Sequence, residues 1–295
     1  MKGEQLSFEI QFRNRTYAVN TSPLQLGNDN AKWTLFVYND ISKQKQAEIN
    51  IKEALKKEQE LNELKSRFIS MASHEFRTPL TAILSSATLI GKQNQPNKVQ
   101  KREKYVKQIE SNVRNLVVIL NDFLSLSKLE EGKTDFRPEN FDLVQLLKQV
   151  INEIETGKKE GQKIIFKSQL PIISVALDAK LMRHILVNLV SNATKYSEEG
   201  TNIDIAITTQ DNKVLISVTD EGIGIPLEEQ VNLFDRFFRA TNAVNIQGTG
   251  LGLHIVKQYT ELMGGTVSFK SEIGKGTTFM VEFESTLNPE GDLAS

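Results

Sequence analysis

The feature that most constrains this chain is a long helical segment that nothing interrupts. From Ser42 to Arg77 the sequence has neither glycine nor proline and is rich in Lys, Glu, Gln, Ala and Leu, which predicts a single long helix. Apolar residues recur there at near-helical spacing, although one gap breaks a strict heptad; they are Ile51, Leu55, Leu61, Leu64, Phe68 and Met71. We therefore expect a coiled-coil stretch that continues into a helix bent at Pro79.

A second amphipathic helix follows, and the two helices alone cannot enclose a core. Its apolar residues alternate steps of three and four along one seam, formed by Val106, Ile109, Val113, Leu116, Leu120 and Phe123. A helical hairpin of this kind buries its seam by pairing with a second copy into a four-helix bundle. The sequence therefore predicts a homodimer.

The segments on either side of the helices predict β structure. The N-terminal segment has three strand-like stretches, Leu6–Phe12, Thr16–Val19 and Thr34–Tyr38, with turns at Pro23 and at Gly27–Asn30. After Pro138 we expect helices at Leu143–Glu155, Ala179–Lys195 and Leu251–Met263, and strands at Lys163–Lys167, Ile203–Thr208, Val214–Thr219, Thr266–Lys270 and Thr277–Phe283. Strands in adjacent pairs favour an α+β sandwich over a doubly wound sheet.

Composition excludes several classes of protein. With 36 basic against 37 acidic residues and a net charge of -1, the chain has no broad positive surface for nucleic acid. It has no cysteine, so it has no disulfide framework, thiol nucleophile or cysteine-ligated zinc. No apolar stretch approaches the roughly 18 residues of a membrane span, and the N-terminus does not follow the pattern of a secretory signal. We expect a cytoplasmic chain, whose parent protein can be anchored in a membrane elsewhere.

The first candidate for chemistry is His74, which Glu75 follows directly. A zinc protease motif would need a second histidine at the position that Thr78 occupies, so that alternative fails. An ordinary exposed helix histidine remains one interpretation. The other is a nucleophile, since a neutral imidazole can attack phosphorus while the adjacent carboxylate takes the proton from its second ring nitrogen.

A second candidate is a polar stripe on the helix near residues 181–196. His184, Asn188, Asn192 and Lys195 share one face, opposite the apolar stripe that starts at Leu181. Such a stripe is often merely solvated. It would also suit Mg²⁺ with attached phosphates, because Mg²⁺ prefers oxygen ligands and lysine supplies a point charge.

Two glycine-rich segments complete the candidate site. Asp220 ends a strand and leads into Gly222 and Gly224, where a carboxylate can accept a hydrogen bond from an adenine amino group. The run Gly248–Leu253 opens a helix whose N-terminal N–H groups can bind phosphate. Neither a Rossmann fingerprint nor a Walker A sequence is present. The connection between the two glycine-rich segments, residues 226–247, is either a mobile lid with exposed aromatics or a small satellite core.

In their order along the chain these motifs resemble those of sensor histidine kinases over roughly residues 60–285. Residues 73–80 resemble the phosphoacceptor box, 188–196 the Asn box, 220–225 the first Gly box, 234–238 the Phe box and 248–252 the second Gly box, and residues 274–279 look like the last Gly-containing element. Residues 15–20 and 33–46 are similar to the last strands and exit motif of a PAS sensor domain, whose earlier elements are absent.

The resemblance implies a multi-domain α and α+β fold, in which a helical hairpin forms a dimeric four-helix bundle and an α/β sandwich of the gyrase/Hsp90 type binds ATP. It implies that His74 is the phosphoacceptor, that Glu75 accepts its proton and that Thr78 orients water in dephosphorylation. Asn192, helped by Asn188, would ligate Mg²⁺. The remaining nucleotide-site residues would be Lys195, Tyr196, Asp220, Gly222, Gly224, Ile225, Phe238, Arg239, Gly248, Thr249, Gly250, Leu251, Gly252 and Thr277. His184 and His254 would be structural.

The implied function is a kinase core that autophosphorylates from Mg-ATP and passes the phosphoryl group to an aspartate of a separate response regulator, with phosphatase activity as well. The domain limits would be 1–41 (PAS-like), 42–66 (coiled-coil signalling helix), 67–132 (dimerisation and phosphotransfer), 133–137 (hinge), 138–286 (ATP-binding) and 287–295 (tail). The alternative is a dimeric nucleotide switch or phosphatase-biased regulator without autokinase activity. The stimulus, the cognate regulator and transfer within or between protomers stay open.

Overall fold

The computed structural model describes residues 6–24, 33–92, 99–246 and 248–284. The chain divides into two compact units, Met1–Ser70 and Met71–Ser295. The predicted tail, residues 287–295, and most of the predicted turn at Gly91–Asn97 lie outside the described residues. None of the helices in the described part is long and apolar enough to span a membrane.

The first unit contains a three-stranded antiparallel sheet in the order β1–β2–β3, formed by Leu6–Phe12, Arg15–Leu24 and Trp33–Asp40. Arg13 (φ 46°) and Asn14 (φ 61°) make the tight turn between the first two strands, as a two-residue hairpin requires. The turn predicted at Pro23 is wrong, because Pro23 lies inside β2 and pairs with Thr34. Pro23 has no N–H to donate, but it lies one residue before the end of β2, where it removes at most one ladder hydrogen bond.

Two long helices follow. Helix α1 spans Ser42–Lys92 and contains Pro79, and helix α2 spans Val99–Glu130. Gly91, expected to begin the turn, is still helical. The side chains of three predicted coiled-coil residues, Leu61, Leu64 and Phe68, lie outside the described residues.

The end of α2 and the start of the next domain are both fixed by hydrogen bonds. Gly132 (φ 63°) ends α2 in a Schellman motif, in which its N–H donates to the Leu129 carbonyl and the Lys133 N–H to the Lys128 carbonyl. Further on, the Arg137 N–H donates to Oδ2 of Asp178 at 3.0 Å. In the connection that follows α2, only residues 134–136 lie between these two sets of hydrogen bonds.

The rest of the second unit is a helix-on-sheet sandwich. Its helices are α3 (Leu143–Glu155), α4 (Ala179–Tyr196) and α5 (Gly252–Leu262). Its strands are β4 (Glu139–Asp142), β5 (Lys163–Ser168), β6 (Ser174–Leu177), β7 (Asn202–Gln210), β8 (Lys213–Asp220), β9 (Thr266–Glu272) and β10 (Gly276–Glu284). The main sheet has the order β5–β7–β8–β10–β9, with only β5 and β7 parallel. This confirms the predicted helical hairpin followed by an α/β sandwich.

The core lies between the sheet and the three helices. Alternate residues of β7 and β8 point into it, and Ile205 and Ile216 are almost fully buried. From the helices, Leu147 of α3, Leu189 of α4 and Ile255 of α5 are fully buried. Periodicity predicted these elements to within about two residues, whereas it missed the short paired strands β4 and β6, whose four-residue lengths are too short to show a pattern.

Candidate active site

Helix α4 presents the polar stripe to a cavity because its opposite face is buried. Asp178 caps the N-terminus by accepting hydrogen bonds from the backbone N–H groups of Lys180 and Leu181. Asn188 then lies on the cavity side, and its Nδ2 donates to the His184 carbonyl at 3.0 Å. That bond fixes the amide orientation and turns Oδ1 toward Gly252.

The end of strand β8 supplies a buried carboxylate. Asp220 is 6% exposed, and its Oδ1 accepts hydrogen bonds from the backbone N–H of Gly222 at 2.9 Å and of Thr277 at 3.3 Å. Burial raises the pKa of Asp220 to about 6, while these two hydrogen bonds act in the opposite direction. Since both bonds go to Oδ1, Oδ2 is the oxygen available to a ligand in the cavity.

The glycines let backbone approach the polar side chains closely. A Cβ added at Gly248 would lie 2.5 Å from Nζ of Lys195, and one at Gly252 would lie 2.4 Å from Oδ1 of Asn188. A larger residue at either position would therefore displace a side chain of the Asn box. The second glycine segment thus packs directly on α4.

One cavity brings together most of the predicted nucleotide-site residues. Its wall includes Asn188, Asn192, Lys195, Tyr196, Asp220, Gly224, Ile225, Phe238, Arg239, Gly248, Thr249, Gly250, Gly252 and Thr277. Gly222 and Leu251 lie beside it: Gly222 holds Asp220 through its N–H, and Leu251 is fully buried just before α5.

The segment between the glycine clusters contains two short 3₁₀ helices, Leu227–Asn232 and Thr241–Ala243. Arg239 holds the C-terminal part of this segment together, because its Nη2 donates hydrogen bonds to the carbonyls of Ala243, Val244 and Ile246 at 3.1, 2.9 and 2.6 Å. Leu233, Phe238 and Asn242 of this segment also line the cavity, so the segment forms part of the cavity wall.

The hairpin residues lie near the second terminal nitrogen of the same Arg239 guanidinium group. His74 is exposed, and its Nδ1 lies 3.4 Å from Oε1 of Glu75. Glu75 is only 5% exposed, and Oε1 lies 4.0 Å from Nη1 of Arg239. Thr78 donates its hydroxyl to the His74 carbonyl at 3.4 Å. Arg239 therefore connects the cavity wall to the carboxylate beside His74.

Sequence reasoning missed the contribution of α2. Asn115, Val118, Ile119 and Asp122 all line the same cavity. Asp122 is 5% exposed, and its Oδ2 accepts a hydrogen bond from the Thr249 hydroxyl at 3.2 Å. Burial raises the pKa of Asp122 to about 6, whereas the Thr249 hydrogen bond and the Lys195 charge act to lower it. The sequence signal was Asp122 itself, a carboxylate that interrupts the apolar run near the end of α2. The seam pattern did not take this residue into account.

Of the other two histidines, only His254 has hydrogen-bond partners among the described residues. Nδ1 of His254 lies 2.9 Å from the Phe234 carbonyl, and Nε2 accepts from Nε of Arg236 at 3.2 Å, which assigns a neutral ring protonated on Nδ1. Arg236 also pairs with Glu130 at the end of α2. Burial lowers the pKa of His184, so its Nε2, 3.9 Å from Oδ1 of Asp122, forms neither an ion pair nor a hydrogen bond.

The donor set around the cavity fits Mg²⁺ held partly by phosphates. The described residues contain no cluster of three or more His, Cys, Asp or Glu able to hold a metal. Asn188 and Asn192 line the cavity and each carries one amide oxygen. Mg²⁺ typically takes one or two protein oxygens and completes its shell with water and substrate phosphates, so this residue pair is compatible with such an ion.

Two families match successive parts of the chain. Residues 64–132 match the His Kinase A (phospho-acceptor) domain. Residues 177–287 match the histidine kinase-, DNA gyrase B-, and HSP90-like ATPases. The class is therefore an ATP-binding domain joined to a histidine phosphoacceptor hairpin.

Individual relatives agree. The circadian input-output histidine kinase CikA of Synechococcus elongatus is 35% identical over 78% of this chain, and the sensor histidine kinase WalK of Bacillus subtilis is 32% identical over 75%. The crystal structure of full-length ShkA in complex with AMPPNP matches 76% of this chain and 47% of that chain with a TM-score of 0.55 at 27% identity. This chain belongs to the sensor histidine kinases and carries their ATP-binding domain. It spans 31% of the length of CikA and 37% of that of WalK.

Proposed function

We propose that this chain is a kinase core that autophosphorylates His74 from Mg-ATP and passes the phosphoryl group to an aspartate of a separate response regulator. The observation that carries the proposal is the position of Arg239, which lines the cavity and also lies 4.0 Å from Glu75. The cavity of a nucleotide domain and the carboxylate beside a candidate phosphoacceptor are thereby brought together.

Nucleotide binding would use opposite walls of the cavity. Oδ2 of Asp220 accepts a hydrogen bond from the adenine amino group, and Ile225 and Tyr196 contact the base and sugar. Lys195 and the N–H groups of the glycine segment before α5 hold the phosphates. Asn188 and Asn192 would hold Mg²⁺, which would neutralise charge on the phosphate oxygens.

The geometry at His74 favours Nε2 as the nucleophile. Nδ1 faces Glu75, so its proton can pass to the carboxylate while the Nε2 lone pair attacks the γ-phosphorus. The new N–P bond forms as the bond from the γ-phosphorus to the β,γ-bridging oxygen breaks, and ADP leaves with that oxygen. The oxygen of Glu75 that faces Nδ1 is Oε1, at 3.4 Å, so Oε1 is the atom positioned to take the proton.

Exposed apolar side chains on α2 support a homodimer, and the similarity to a histidine kinase solved with its response regulator supports a receiver domain as the second partner. Val106, Val113 and Leu120 of the predicted seam are 44–49% exposed on α2, which supports pairing with a second copy into a four-helix bundle. The histidine kinase ThkA, whose fold this chain shares at 22% identity, has been solved in complex with response regulator protein TrrA. We propose a receiver aspartate as the acceptor here, and Thr78 as the residue that orients water in dephosphorylation. The domain limits predicted from sequence belong to this proposal.

The deciding experiment is transfer of γ-labelled phosphate from Mg-ATP onto the purified chain, with His74→Gln as the variant. We expect an acid-labile, alkali-stable label on the wild type and none on the variant. Thr78→Ala is the matched control, because it should still accept label. If both proteins bind ATP and neither is labelled, the kinase assignment fails and the nucleotide-switch alternative replaces it.

A further inference from the structure

The C-terminal end of α4, where Asn192, Lys195 and Tyr196 lie, is held from outside the cavity. The last four carbonyls of an α-helix have no partner within the helix, and in α4 these belong to residues 193–196. Backbone N–H groups of Ser197 and Ile223 bond the first and last of them at 3.2 and 3.3 Å. The two middle carbonyls need other donors.

Lys159 supplies one of those donors. Its Nζ donates to the Lys195 carbonyl at 2.9 Å and to the Ser197 carbonyl at 2.5 Å. The ammonium group therefore sits at the negative end of the α4 dipole, where a cation is stabilising. Lys159 itself is on the surface, in the loop between α3 and β5.

Gln162 supplies the other donor and is 2% exposed. Its Nε2 lies 3.0 Å from the Thr194 carbonyl, 3.0 Å from that of Glu198 and 3.3 Å from that of Ser197. Its Oε1 accepts the backbone N–H of Lys159 at 2.9 Å. The Lys159 and Gln162 side chains therefore bind the end of α4 from one loop, and the Gln162–Lys159 hydrogen bond also stabilises that loop.

A shift of this helix end would be felt in the cavity. Nζ of Lys195 lies 3.3 Å from the Tyr196 hydroxyl. It would lie 2.5 Å from a Cβ added at Gly248. The missing Cβ of Gly248 leaves the room that this ammonium group occupies, so a displaced last turn would shift the cation proposed to hold phosphate relative to the glycine segment that begins at Gly248.

We infer that Lys159 and Gln162 are positioning residues for the nucleotide: they fix the last turn of α4 from behind and so set nucleotide affinity without touching the ligand. The inference rests on the proposed nucleotide site. It assigns a functional role to a loop that lies outside every motif of the sequence analysis.

The test compares Lys159→Met with two other variants. Methionine keeps the length of the side chain and removes its charge and donors. Lys159→Arg restores them. Lys158→Met is the matched control, since the Lys158 ammonium in the same loop pairs with Glu155 and not with α4. The readouts are the Kd of Mg-ADP by calorimetry, the Tm, and the autophosphorylation rate at saturating Mg-ATP.

For Lys159→Met we expect Mg-ADP affinity to fall about tenfold, the change that corresponds to one lost hydrogen bond of a charged donor. Lys159→Arg should recover most of it, Lys158→Met should stay within about twofold, and the saturated rate should be unchanged. A lower Tm with unaltered Kd for Lys159→Met would reduce the loop to a stability role and overturn the inference. Wild-type protein that does not bind Mg-ADP would overturn the proposed nucleotide site and the inference together.

Discussion

The buried carboxylate of Asp122 makes a quantitative prediction about pH. Its pKa is raised from 3.8 to about 6 by burial against the nucleotide domain. A carboxyl group whose pKa is higher in the folded state binds its proton more tightly there. Its contribution is therefore most favourable below pH 3.8 and is lost as the pH rises through about 6.

The perturbation is Asp122→Asn, which removes the charge and keeps an oxygen that can accept from Thr249. At 1.36 kcal/mol per pKa unit, the ionised Asp122 costs about 3 kcal/mol at pH 7 relative to a neutral group, and about 0.5 kcal/mol at pH 4. The asparagine variant should therefore be more stable than the wild type, by an amount that grows over this range.

The assay is urea unfolding of both proteins between pH 4 and 8, with the difference in the free energy of unfolding plotted against pH. Glu199→Gln, an exposed acid, is the matched control and should change that free energy little at any pH. A difference for Asp122→Asn that does not vary with pH, or a variant less stable than the wild type at pH 7, would refute the reasoning. A pH-independent difference would mean that Thr249 and Lys195 stabilise the carboxylate by as much as burial destabilises it. A less stable variant at pH 7 would mean that they stabilise it by more.

Two further predictions concern the nucleotide site and the connection to it. Because burial raises the pKa of Asp220 to about 6, the carboxylate that should accept from adenine is lost as the pH falls, so Mg-ADP affinity measured by calorimetry should drop below pH 6. Asp220→Asn should bind weakly at every pH, and a flat profile for the wild type would contradict this role. Asp135→Pro, in the short unanchored connection, should slow autophosphorylation at saturating ATP several-fold while Kd for Mg-ADP stays within about twofold; equal losses in both would argue against a hinge.

How much could be predicted from the sequence depended on whether a pattern was local. The face of α4 that carries Asn188, Asn192 and Lys195 follows from helical periodicity, and the glycines near Asp220 follow from strand and turn signals. These residues occur together in the cavity wall.

Contacts between distant segments could not be predicted in the same way. Asp122 meets Thr249 across 127 positions of the chain, and nothing in either local pattern specifies that pairing. Gln162 belongs to no sequence motif, because its role depends on where the end of α4 lies in space. The turn predicted at Pro23 was wrong because proline is usually a turn signal, whereas here β2 continues through Pro23 to Leu24 by pairing with β3.

The proline inside α1 has a mechanical consequence. Pro79 has no N–H to donate to the carbonyl four residues earlier, which belongs to Glu75. The turn from Glu75 to Pro79, directly after His74, therefore lacks one hydrogen bond of the helix and resists twisting less than a fully bonded turn. A twist applied to α1 would concentrate at that turn and change the direction of the imidazole, while the helix on either side keeps its hydrogen bonds.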